Sequence, residues 1–67
     1  MNTLEQASRL VATGDERRAL QILHETVDAT ADPELLREIH ALAENAHESS
    51  HGLHRIEWER LMLETEN

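Results

Sequence analysis

Hydrophobic residues recur along most of the chain at intervals of three and four, the spacing that places side chains on one face of an α-helix. The pattern is clearest in one stripe that spans about 120° of arc on a helical wheel. This stripe contains Leu35, Leu36, Ile39, Leu42, Ala43 and Ala46. The alternation of apolar and polar positions that predicts β-strands is missing from the sequence. The pattern indicates an all-α protein.

Glycine, aspartate and proline mark the boundaries between the predicted helices. Gly14 and Asp15 suit the end of one helix and the N-cap of the next. Asp32 and Pro33 suit another N-cap followed by proline in the first turn. A weaker break lies at residues 49–52. We predict one domain, a small bundle of three to four helices over residues 2–13, 15–30, 33–48 and 53–65. One continuous last helix that begins at Pro33 is the alternative.

Composition and charge narrow the class of function. Fourteen acidic residues against six basic ones give the 67-residue chain a formal net charge of -8, which argues against direct binding of nucleic acid or an anionic membrane. The chain has no cysteine, so we expect neither disulfides nor thiolate chemistry. No apolar run is long enough to span a membrane, and residues 1–6 do not resemble a secretory signal. We expect a cytoplasmic protein without a cofactor.

The last predicted helix carries apolar residues on two opposite sides. One side contains Leu53, Ile56 and Leu63. The other side contains Trp58, Leu61 and Met62. Because packing on a small bundle uses one side, we expect the other to be exposed or covered by a second chain. Tryptophan is enriched at binding hot spots, so the sequence predicts Trp58, Leu61 and Met62 as the partner-binding residues.

Residues 3–33 place small and large apolar residues on either side of a Gly-Asp turn. The positions concerned are Ala7, Leu10, Gly14, Ala19 and Leu23. This arrangement resembles a single tetratricopeptide repeat, a helix–turn–helix unit of roughly 34 residues. Leucines stand where the family has aromatic residues, and no second copy follows. The resemblance implies protein or peptide binding without chemistry, but it transfers no binding residues because the family's groove needs neighbouring repeats.

Five histidines are the remaining candidates for chemistry. His47 and His51 enclose Glu48 in the HExxH spacing of zinc proteases, where the histidines bind the metal and the glutamate is the base. Two serines stand where those enzymes have apolar residues, and the chain is too short for a substrate cleft. We predict no enzyme and no catalytic residue. A zinc or nickel site without catalysis at His47 and His51 is the alternative.

These patterns together predict a non-catalytic, acidic helical module for protein–protein interaction. We expect it to associate with itself as a homo-oligomer, or to bind another protein, through the C-terminal helix. Two other functions stay open at this point. One is a histidine-based metal-binding protein, and the other is an acidic regulatory protein that mimics the phosphate rows of DNA.

Overall fold

The computed structural model describes residues 2–66 and has four α-helices and no strand within that range. The helices are α1 (Thr3–Ala12), α2 (Glu16–Ala29), α3 (Pro33–Ser49) and α4 (Gly52–Thr65). The all-α class is confirmed. Each observed helix end lies within one residue of the predicted end.

Polar N-caps begin two of the helices, and the cap at Asp32, followed by proline, is the one that the sequence predicts. The Glu5 N–H donates to Asn2 Oδ1 at 2.8 Å ahead of α1. The Glu34 N–H donates to Asp32 Oδ1 at 3.0 Å ahead of α3, where proline occupies the first turn. Asp15 occupies the N-cap position of α2, but its side chain makes no capping hydrogen bond. The start of α2 therefore depends on other contacts.

Gly14 and Gly52 allow the chain to reverse at two of its corners. Their φ angles are +90° and +65°, in the left-handed region that glycine enters without the steric cost of a Cβ atom. Ahead of Gly52, Ser50 and His51 are extended, with ψ angles of 161° and 156°. These residues separate α3 from α4, so the alternative of one continuous helix is not what the chain forms.

The helices pack as two hairpins, α1 with α2 and α3 with α4. Contacts between α2 and α4, and fewer between α1 and α3, join the hairpins. The shared core contains Ala7, Ala19, Leu20, Leu23, Ile39, Ala43, Ala46, Trp58 and Leu61. The alanines let helices approach closely, while Trp58 supplies much of the core's volume. None of the described helices is long and apolar enough to cross a membrane.

Candidate interaction surface on the fourth helix

The side of α4 that was predicted to bind a partner is buried, and the opposite apolar side is exposed. Trp58 and Leu61 have no exposed surface, and Met62 is partly buried against the same core. The prediction that these three residues form an accessible binding side is wrong. A chain with a single aromatic residue and few large apolar side chains fills its core with the largest one, because burial of a tryptophan removes the most apolar area from water.

The solvent side of α4 carries Leu53, Ile56 and Leu63, which we call the outer row. These residues are 79%, 59% and 65% exposed, respectively. They are the exposed large hydrophobic residues within the described part of the chain. Their spacing places them within about 80° of arc on one face of the helix. Within the described residues, the large apolar side chains that are exposed thus all lie on one helix.

A polar cluster around Glu16 holds the start of α4 against the start of α2. Ser50 Oγ donates a hydrogen bond to Glu16 Oε1. Trp58 Nε1 donates to the same oxygen at 2.9 Å. His54 Nδ1 lies 3.4 Å from Glu16 Oε2. We call these four residues the Glu16 cluster. One carboxylate of the first hairpin thereby contacts three side chains of the second.

The Glu16 cluster favours the ionised carboxylate. The hydrogen bond from Ser50 is the largest influence that lowers the pKa of Glu16 below its ordinary value of 4.5. The hydrogen bond from Trp58 and the nearby His54 act in the same direction, while partial burial opposes them. Glu16 is therefore charged at neutral pH, and both of its carboxylate oxygens can accept hydrogen bonds. Ser50 is only 3% exposed, so its hydroxyl is shielded from any substrate and serves to hold the corner.

Two more histidines attach α4 to its neighbours. His40 Nδ1 lies 3.0 Å from the Met62 carbonyl oxygen and 3.0 Å from Thr65 Oγ1, near the C-terminal end of α4. Because a carbonyl oxygen only accepts, this geometry suits a proton on Nδ1. His24 Nδ1 lies 3.6 Å from Glu64 Oε1 and links α2 to α4. Together with His54, these contacts tie α4 to the bundle near both of its ends.

His47 and His51 do not lie on one continuous helix. His47 is in the last turn of α3, whereas His51 is the extended N-cap residue of α4. The one-turn spacing on which the metal interpretation and the HExxH comparison both depend is therefore not formed. Within residues 2–66, no group of three or more histidine, aspartate and glutamate side chains is arranged to hold a metal ion.

Comparison with known proteins adds no template for this surface. No family model, curated protein or solved structure matches the chain. The function of α4 has to be inferred from its own residues.

The Glu16 cluster is the part of the structure that sequence reasoning missed. Its α4 side carried a weak signal, because His54 and Trp58 are four residues apart, which places them on one face of the helix. Ser50 precedes the helix and is extended, so that spacing does not predict its position. The other half of the cluster carried no signal. Glu16 is 34 residues from Ser50 and 42 from Trp58 along the chain, and no local pattern connects them.

Proposed function

We propose that the protein is a small, non-catalytic helical module that binds another protein through the outer row of α4. The observation that supports this most is the exposure of Leu53, Ile56 and Leu63 in a chain with little apolar surface to spare. Burying one such side chain stabilises a protein by about 1.5–3 kcal/mol. Three left in water on the same helix face are typical of a surface that another molecule covers.

The attachment of α4 suits a binding role. The Glu16 cluster holds its N-terminal part, His40 contacts its C-terminal part, and Trp58 packs in the core beneath it. A helix fixed in this way presents its outer side chains with little conformational freedom left to lose. Such preorganisation lowers the entropic cost of binding.

We also propose that the first hairpin is tetratricopeptide-like. In support, Ala7, Ala19 and Leu23 are fully buried, and Gly14 turns the chain between α1 and α2 with a φ of +90°. In this proposal the first hairpin is the scaffold on which the second hairpin packs. We further propose that the protein acts in the cytoplasm, in keeping with its lack of cysteine.

A second copy of the chain is the other occupant that the outer row could take, as the expected homo-oligomer. Light scattering after size exclusion distinguishes self-association from binding of a different protein. It is measured at several concentrations of the wild type and of a Leu53→Ser/Leu63→Ser variant. A monomeric wild type is expected if the row binds a different protein. A dimer that the double substitution dissociates would show self-association instead.

The proposal is tested by affinity purification from the organism's own cells with paired baits. The baits are the wild type, Leu53→Ser/Leu63→Ser, and a control Ala12→Ser/Ala41→Ser that changes exposed positions on other helices. We expect a protein that is recovered with the wild type and the control and is lost with the outer-row variant. Identical recovery with all three baits from a monomeric protein would contradict the proposal.

A further inference from the structure

The outer row is bordered by exposed acidic side chains. Glu57 and Glu64 lie along one edge, and Glu59 lies along the other. Arg60 is exposed within the row itself. Within this arc of α4 three carboxylates stand against one guanidinium, and exposed Arg55 lies just beyond Glu59, so the surface carries a small net negative charge in a chain whose net charge is -8. The apolar surface and its border therefore have to be considered together.

The border must take part in any stable complex. Each partner in a stable protein interface of standard size buries about 800 Å², and three side chains on one helix provide only part of that area. The residues next to the row, which are mainly glutamates, would supply much of the remaining contact.

A second copy of the chain fits this surface poorly. In a symmetric pair the same patch is used by both subunits, so the acidic border of one copy would meet the acidic border of the other. Each copy also has a net charge of -8. Opposed like charges reduce affinity and slow the encounter of the two molecules.

From this charge pattern we infer that the occupant of the outer row is a cationic amphipathic helix of another protein. Its apolar residues cover Leu53, Ile56 and Leu63, and lysines or arginines on either side of its apolar stripe face the acidic border. An amphipathic helix laid along an apolar surface is a recurring mode of recognition. This inference rests on the proposed function and adds the chemistry of the partner to it.

Two synthetic helical peptides test the inference. Both carry the same row of leucines at helical spacing, flanked by lysines in one peptide and by glutamates in the other. Binding to the full chain is measured by isothermal titration calorimetry at about 50 mM and about 300 mM salt. We expect the lysine peptide to bind at least about tenfold more tightly than the glutamate peptide, and to lose several-fold in affinity at the higher salt concentration.

Charge-neutral variants localise the effect. Glu57→Gln/Glu59→Gln, which removes one carboxylate from each edge and leaves the contact between Glu64 and His24 in place, should weaken binding of the lysine peptide by about three- to tenfold at low salt. The matched control is Glu5→Gln/Glu25→Gln, which removes the same charge from α1 and from the groove between α1 and α2. That control should bind like the wild type.

The outcomes separate the inference from the proposed function. Equal binding of both peptides, or equal weakening by the two glutamine variants, overturns the cationic partner. If Leu53→Ser/Leu63→Ser still abolishes binding in that case, the outer row remains a binding surface of a different charge preference. A dimer that depends on the outer row also overturns the inference. Peptide binding that is indifferent to the outer-row substitutions counts against both the inference and the proposed function.

Discussion

The two sides of α4 are both apolar, yet one is buried and the other lies in water. The inner side contains Trp58 and Leu61, and both have no exposed surface. Among residues 2–66, nothing comparable covers the outer row. The difference lies in the polar atoms that accompany the apolar ones: the Trp58 indole donates to Glu16, and Thr65 lies beside His40. Hydrophobic spacing reveals that a helix has two faces, whereas hydrogen-bonding partners show which one is inside.

Removing the largest side chain of the inner side should have the largest effect. We expect Trp58→Ala to destabilise the fold by about 3–5 kcal/mol, because it leaves a large cavity. That is comparable with the whole stability of about 3–5 kcal/mol that a core of this size supports. Urea denaturation followed by far-ultraviolet circular dichroism measures it. Ile56→Ala is the matched outer-side control, and similar small losses for both variants would contradict the distinction between the sides.

Breaking the Glu16 cluster should have the next largest effect. We expect Glu16→Ala to cost about 2 kcal/mol, because the buried Ser50 hydroxyl and the Trp58 indole would each lose a charged acceptor. Glu5→Ala on α1 is the exposed control. Pairing Glu16→Ala with Ser50→Ala in a double-mutant cycle isolates the bond between them, and strictly additive losses would show that it contributes no coupling.

The corner ahead of α4 is tested by Gly52→Ala. A Cβ added at Gly52 meets nothing within 4 Å, so only the left-handed backbone opposes the change, at about 1–2 kcal/mol. Chemical denaturation gives the loss of stability. A more stable, more helical variant would contradict this expectation, and it would show that α3 and α4 readily merge into one helix when the corner is disfavoured.

Acid should lower the stability of the fold by protonating Glu16, which contacts the inner side of α4. The pKa of this carboxyl is lowered on folding, so the unfolded chain takes up the proton at a higher pH than the folded chain does. The stabilisation is complete above the ordinary pKa of 4.5 and is lost as pH falls through the folded value. Denaturation measured across this pH range should give a higher free energy of unfolding for the wild type than for Glu16→Gln. This difference in stability should become smaller as the pH falls. A constant difference would contradict the role of the charge.

The smallest effect on stability is expected from the outer row. Leu53→Ser/Leu63→Ser should change the free energy of unfolding by less than about 0.5 kcal/mol per site, because both side chains are already in water. The same denaturation measurement applies. A loss close to that of Trp58→Ala would mean that these leucines pack in the folded protein in solution and are not available to a partner.

The helices could be predicted from the sequence because the features that determine them are local. Apolar spacing places the stripe of α3, Pro33 fixes where that helix begins, and Gly14 and Gly52 stand at the corners. The site was harder to predict because its determinants are distant. Trp58 was predicted to lie on a binding surface because tryptophan is enriched at binding hot spots. The large apolar ring that favours tryptophan there also favours it in protein cores. In the folded protein, the burial of the indole and its hydrogen bond to Glu16 assign Trp58 to the core.

The position of Trp58 gives the protein a built-in optical reporter. The chain has no tyrosine and no phenylalanine, so all of its intrinsic fluorescence comes from one indole ring. That ring lies in the core, with its N–H bound to a carboxylate of the other hairpin. Any separation of the two hairpins would expose it to water, and the emission would change. The unlabelled chain therefore signals in real time whether its two halves are docked.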